Sequence, residues 1–196
     1  MRFTRIWLVF ALMAAGTAVL AATGLGQQAT APANEKAFAE FQAAIADYMK
    51  LRQRLRNEIT GPVAGSTAVE LNRASDSLAA AIQRARASAR VGNIFAVPIT
   101  VAFKHRVDEV VRQDNLAPLL AIIDDEPPTI KTPAIHLRFP AASQMATMPP
   151  SLLAALPELP KELEYRIVGE YLVLRDVDAA LILDYIPAAV PRKPQK

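Results

Sequence analysis

The segment LEYRIVGEYLVLRDVDAALILDYIP, Leu163–Pro187, constrains the fold of this chain more than any other stretch. Apolar and polar residues alternate from Leu163 to Ile167, which is the period of a half-buried strand. Gly169-Glu170 then predicts a two-residue loop, because glycine adopts the positive φ that a primed turn needs. A second alternating run follows from Tyr171 to Arg175. The sequence therefore predicts an antiparallel hairpin.

The two-residue loop fixes the register of this hairpin. It pairs Val168 with Tyr171, and the remaining pairs follow by counting outward to Glu164 and Arg175. In this register one face is apolar and carries Tyr165, Ile167, Leu172 and Leu174. The other face carries Arg166, Tyr171, Val173 and Arg175, and we predict it to be an outer face available to a partner protein.

A third strand is predicted after the hairpin. Residues 176–178 suit a turn, and Ala180–Ile186 reads as a strand that Pro187 ends, since proline cannot donate to a sheet ladder. A helix over Val177–Tyr185 is the alternative. The region 130–187 is thus expected to form a small antiparallel β-meander, which Ile135, Leu137 and Phe139 join as a further alternating strand.

The preceding region, 34–126, has helical periodicity. A first helix is predicted over Asn34–Ile59, with Asn34 as its N-cap. Its apolar stripe is interrupted by Arg52, and we interpret the basic run of this helix as a solvated face. The apolar stripe comprises Phe38, Phe41, Ile45, Tyr48, Leu55 and Ile59. The basic run comprises Lys50, Arg52, Arg54 and Arg56.

Two or three more helices follow in this region. Thr67 and Glu70 form a capping box for the second, Gly92 suits its C-terminal cap, and its alanine-rich stripe predicts close packing against the first helix. Pro98 fits the first turn of a third helix. A weaker fourth helix is predicted over Leu116–Ile123, and a short helical turn from Pro150 to Leu156. The fold class is therefore α+β: a helical hairpin or bundle of three to four helices, then the meander.

The two ends of the chain differ in composition from the regions between them. Residues 1–29 resemble a signal peptide, since Arg2 and Arg5 precede an uncharged apolar run and small residues. Cleavage after Ala21, Gly24 or Ala29 is compatible with the sequence, and a retained anchor is the alternative. Residues 188–196 form a proline-rich basic tail that we expect to be disordered. We expect a periplasmic or secreted protein.

The composition excludes several kinds of site. The chain has no cysteine, which excludes disulfides and thiol chemistry, and its net charge is only +3. Residues 34–113 hold 12 Lys/Arg and 8 Asp/Glu, whereas residues 114–187 hold 5 and 11. Two oppositely charged halves do not form the basic face of a nucleic-acid-binding protein.

Few side chains are candidates for chemistry. His105, Asp108 and Glu109 share one helix face, but two histidines in the chain cannot form a histidine-rich metal site. His136 is expected on the polar face of its strand. The aspartates Asp176, Asp178 and Asp184 lack the glycine and glutamate of a calcium loop, and we expect Asp176 and Asp178 to bind turn amides. We therefore predict no catalytic residue, metal ligand or cofactor.

Three motifs resemble those of a group of uncharacterised exported bacterial proteins. They are the spacing of Phe38, Phe41 and Tyr48, the segment ARASARVGNIF over 85–95, and the segment from Leu156 to Pro187. The chain departs from the group at Ala180, Glu170 and Tyr171, where the group has asparagine, arginine and aspartate. Residues 157–187 are also similar to the closing meander of small periplasmic nickel/cobalt-homeostasis proteins, which implies strand order but no metal site, because these residues include no histidine.

These observations leave three hypotheses for function. The first is a non-enzymatic envelope protein that acts by protein–protein contact. The second is a small-ligand or metal-responsive periplasmic factor, and the third is a hydrolase with a non-standard site.

Overall fold

The computed structural model describes residues 25–59, 66–116, 118, 132–139 and 148–190. In these ranges helices precede a three-stranded antiparallel sheet, which confirms the predicted α+β fold. No helix among them is long and apolar enough to cross a membrane. The elements are α1 (Leu25–Asn57), α2 (Ala68–Ala85), α3 (Val97–Gln113), α4 (Pro150–Ala155), β1 (Leu163–Val168), β2 (Tyr171–Asp176) and β3 (Leu181–Ile186).

The predicted meander is confirmed in its strands and in the register of its hairpin. The strand order is β1-β2-β3, and all pairs from Glu164–Arg175 to Val168–Tyr171 are those the sequence predicts. Gly169 has a φ of 56°, as a primed turn requires. The alternative helix over Val177–Tyr185 is wrong, because residues 177–180 form a turn and β3 occupies Leu181–Ile186.

A β-bulge in β3 changes which side chains face the helices. Leu174 pairs with Asp184 whereas Arg175 pairs with Ile182, so Leu183 is the extra residue. A bulge shifts the alternation of side chains by one residue. Leu183 and Asp184 therefore both lie on the helix side of the sheet.

Helix α1 differs from its prediction at its start and at Arg52. Asn34 is not an N-cap, because the helix already begins at Leu25 and accommodates Pro32. Arg52 is only 5% exposed, so the interpretation of this residue as part of a solvated face is wrong. Its buried position has a specific partner on the sheet, described below.

The capping box of α2 is confirmed: the Thr67 side chain accepts a hydrogen bond from the Glu70 amide, and Glu70 accepts one from the Thr67 amide. Gly92 is not its C-cap, because α2 ends at Ala85; Gly92 instead lies in the following loop with a φ of 88°. Helix α1 packs more extensively against α3 than against α2. The aromatic residues of α1 account for this preference.

The predictions for the other helices differ in outcome. Pro98 lies in the first turn of α3, and Val107 rather than Arg106 is fully buried there. The helical turn from Pro150 is confirmed as α4. Most of the predicted helix Leu116–Ile123 and the boundary near residues 126–131 lie outside the described residues.

The strand predicted over Ile135–Phe139 is wrong. Residues 135 and 136 form a turn in which His136 has a φ of 63°, and Arg138 makes an isolated bridge to Leu181. The segment 132–139 nevertheless follows β3, since the Ile182 N–H donates to the Leu137 carbonyl and the Ile182 carbonyl accepts from the His136 N–H. It covers part of the sheet without extending it as a regular strand.

One hydrophobic core joins the helices and the sheet. Phe41, Phe95 and Phe103 pack together with centroid separations of 4.9–5.4 Å, and Tyr165 of β1 lies 6.0 Å from Phe103. Aromatic groups in such edge and offset arrangements stabilise a core beyond the area they bury.

The two predicted termini are only partly described. Residues 25–29 of the predicted signal peptide belong to α1, and the rest lie outside the described residues. The predicted disordered tail is wrong for its beginning, because Ala189 and Val190 are buried and donate to the Glu170 carbonyl.

Candidate functional site

The predicted outer face of the hairpin is largely covered within the chain. Val173 is fully buried and Arg175 is 2% exposed, so the exposure expected of these two residues is wrong. Arg166 and Tyr171 remain partly exposed. The covering group is a small apolar cluster of Phe139, Val168, Val173 and Ile182, with Leu137, Tyr171 and Tyr185 packed on it.

Arg175 organises the polar part of the same face. Its Nε donates to the Phe139 carbonyl at 2.7 Å and its Nη1 to Glu164, while Arg166 donates to the other Glu164 oxygen at 2.6 Å. Burial raises the pKa of the Glu164 carboxyl, but the hydrogen bonds from Arg166 and Arg175 outweigh it and hold the pKa below its usual value. This arrangement fixes segment 132–139 on the sheet.

On the helix side, Asp176 is the centre of a buried polar cluster. One of its oxygens accepts from the Tyr48 hydroxyl at 2.7 Å and from Arg52 Nε at 2.8 Å, and the other accepts from the Ala179 amide. Arg52 Nη2 also reaches Asp178 at 2.5 Å. The turn-amide prediction is thus confirmed for Asp176, whereas Asp178 accepts a hydrogen bond from Arg52. Burial, followed by the Asp176 carboxylate, raises the pKa of Tyr48.

Asp184 forms a second junction between sheet and helices. Its two oxygens accept from the amides of Gly92, Ile94, Phe95 and Tyr185 at 2.7–3.0 Å. The bulge at Leu183 turns this fully buried carboxylate towards the loop before α3. No sequence pattern signals it, because regular alternation would place Asp184 on the outer face.

Arg86 and His136 meet beside this second junction. The Arg86 guanidinium lies 5.5 Å from the Tyr48 ring centroid and donates to the Leu183 carbonyl at 3.3 Å. Among the described residues, Arg86 Nη1 and His136 Nε2 are buried without a hydrogen-bond partner. Burial, and then the nearby Arg86 charge, lower the pKa of His136.

The histidine candidates do not assemble a metal or catalytic site. His105 is exposed, and its Nδ1 lies 3.4 Å from the Asn34 side-chain amide. Glu109 contacts Arg106 rather than His105. Within the described part of the chain, no group of three His, Cys, Asp or Glu residues is placed to hold a metal ion.

Two neighbouring surface grooves both include Pro160 in their linings. The first, of about 580 Å³, lies beside the edge strand β1 and will be called the β1 groove. It is lined mainly by apolar side chains of residues 148–165, with Glu158, Lys161, Glu164 and Arg166 among the polar ones. The second, of about 920 Å³, runs along α1 and will be called the α1 groove.

Comparison with protein-family models, curated proteins and solved structures finds no match for the chain.

Proposed function

We propose that this is an exported, non-enzymatic protein of the bacterial envelope that binds a partner protein at the β1 groove. The observation that carries the proposal is an apolar groove placed directly beside an edge strand. Edge strands accept an additional strand from another chain when their backbone groups are accessible.

The geometry of the hairpin identifies the backbone groups concerned. The two-residue loop makes Val168 and Tyr171 a hydrogen-bonded pair, so alternation directs the N–H and C=O groups of Tyr165 and Ile167 away from β2. Among the described residues no strand pairs with this edge. An extended partner segment would bond there and place alternate apolar side chains in the groove.

Site-specific photocrosslinking tests this function. The photoreactive residue p-benzoylphenylalanine replaces Leu153, which lines the groove and is 51% exposed; the control position is Val101 on α3, 60% exposed and outside the grooves. We expect one dominant adduct from position 153 and not from position 101.

A groove-filling variant makes the test specific. Ala154→Trp fills the β1 groove from the exposed side of α4, and Ala43→Trp adds the same side chain on the exposed side of α1. Loss of the adduct with Ala154→Trp alone supports the proposal. An adduct unchanged by Ala154→Trp, or no adduct specific to position 153, contradicts it.

Export is tested separately, by identifying the N-terminus of the mature protein. Mass spectrometry of the mature protein is expected to show an N-terminus after Ala21, Gly24 or Ala29. The mature chain would then lack Trp7, the single tryptophan of the sequence, and show no tryptophan fluorescence. An intact Met1 in the membrane fraction would contradict a cleaved signal peptide.

A further inference from the structure

The α1 groove presents a continuous apolar floor on one side of a helix. The α1 residues that line it recur at helical spacing, so they form a single stripe along α1. From residue 42 to residue 54 this stripe is about 18 Å long, at 1.5 Å per residue. The lining comprises Ile45, Ala46 and Met49 on the floor, with Gln42, Gln53, Lys50, Arg54 and Pro160 around it.

The charged side chains that line the α1 groove are both cations, Lys50 and Arg54. Lys50 contacts Asp47 at 2.9 Å, but both side chains are 76% exposed, so this ion pair is weak and readily exchanged. Arg54 has no ion pair with any described residue and is exposed. The rim therefore offers positive charge without acidic competition from the lining.

The backbone of α1 determines the conformation of the ligand. The groove floor is formed by the middle turns of α1, where the backbone N–H and C=O groups are already hydrogen-bonded within the helix. An extended segment would find no backbone partners on this floor, whereas a helical segment satisfies its own backbone groups. The unbranched Met49 adapts to different apolar side chains.

We propose that the α1 groove binds an acidic amphipathic helix of a partner protein, with apolar residues on Ala46 and Met49 and carboxylates beside Lys50 and Arg54. This inference rests on the proposed function, binding of a partner protein at the β1 groove, and it describes the chemistry of a second contact with that partner. Because Pro160 lines both grooves, one partner can cover them together.

A synthetic helix tests this inference without knowledge of the natural partner. The probe is a fluorescein-labelled peptide of about 14 residues, with leucine at positions i, i+3, i+4 and i+7 and glutamate at most others, matched to the groove length. The comparison peptide keeps the leucines and replaces glutamate by lysine. We expect fluorescence anisotropy to show at least about tenfold tighter binding of the acidic peptide, and a loss of affinity with added salt.

Matched variants locate the binding to the groove. Arg54→Glu and Arg84→Glu reverse one exposed arginine in the last turn of α1 and of α2, respectively, so they change the charge equally. Ala46→Glu and Ala43→Glu add the same charge to exposed positions of α1, but only Ala46 lines the groove. We expect about a tenfold loss of affinity for Arg54→Glu and Ala46→Glu, and less than about twofold for their controls.

The outcomes distinguish this inference from the proposed function. Equal binding of the two peptides, or equal losses in a variant and its control, overturns the inference even when the crosslink at position 153 is observed. Absence of the crosslink with selective peptide binding contradicts the β1 groove as a contact and retains the α1 groove. Unchanged thermal unfolding of each variant confirms that a loss of affinity is not a loss of folding.

Discussion

At the scale of single residues, burial of one charged group decides how the helices meet the sheet. Arg52 lies in a row of basic residues, but it alone in this row points to Asp176 in the core. A buried ion pair adds little net stability compared with apolar packing, whereas removing one partner leaves an uncompensated charge. Arg52 is therefore better understood as fixing the position of α1 on the sheet.

The variant Arg52→Met tests this role. It leaves the fully buried Asp176 without its cation, and we expect the free energy of unfolding to fall by about 3–5 kcal/mol. The double variant Arg52→Met/Asp176→Asn should recover part of this loss in urea unfolding. Arg56→Met, in the same basic run, should change stability by less than about 0.5 kcal/mol. An equal loss for Arg52→Met and Arg56→Met would contradict the buried ion pair.

His136 makes stability depend on pH in the acidic range. Its pKa is lower in the folded protein than its ordinary value of 6.5, because burial and Arg86 disfavour a second cation. The unfolded chain therefore binds more protons between the folded pKa and about pH 6.5, and stability falls as the pH decreases through this range. We expect His136→Gln to reduce this slope, measured by urea unfolding between pH 7.5 and 5. A slope that is the same in His136→Gln and in the unaltered protein would contradict this role of His136.

Ala180 adopts a backbone conformation that alanine disfavours. Its φ is 48°, in the left-handed region that costs a residue with a Cβ roughly 1–2 kcal/mol. We expect Ala180→Gly to raise the free energy of unfolding, by up to about 1 kcal/mol after the entropy of glycine is subtracted. Ala179→Gly, one residue earlier and without a positive φ, should lower it; thermal unfolding compares the two.

At the scale of secondary-structure elements, local rules predicted the hairpin and missed the bulge. Gly169 sets the turn and the turn sets the register, so the pairs of β1 and β2 follow from adjacent residues. The bulge at Leu183 is stabilised instead by residues about 90 positions away, through Asp184 and the loop before α3. For the same reason sequence periodicity did not predict that segment 132–139 covers the outer face, since Phe139 is fixed there by Arg175.

The Asp184 junction is testable by hydrogen exchange. Asp184→Asn replaces an acceptor oxygen by a donor group that faces backbone N–H groups, and we expect a loss of about 2–4 kcal/mol of stability. The amides of Ile94 and Phe95 should exchange faster in this variant before the sheet amides do. Asp108→Asn, at an exposed position of α3, is the control with no expected change. Unaltered exchange at Ile94 and Phe95 would show that the junction is not formed in solution.

At the scale of the whole molecule, the two oppositely charged regions form one folded unit. The described contacts between them are specific and buried: Arg52 with Asp176, the Asp184 carboxylate with the loop amides, and the shared aromatic core. The opposite net charges of the two regions predict that they attract each other, but they do not predict which residues meet. Pro160, in the segment before β1, lines both grooves.

The buried aspartates of the sheet also determine when this chain can fold during synthesis. Tyr48 and Arg52, which bind Asp176, precede it by 128 and 124 residues. Ile94, which donates its amide to Asp184, precedes it by 90 residues. The ribosome therefore completes α1, α2 and α3 long before the strands that cover their apolar sides emerge. Contacts of such sequence separation form late and slowly. Nascent chains arrested near residue 150 should consequently be digested rapidly by protease, because the apolar sides of these helices are still uncovered at that stage of synthesis.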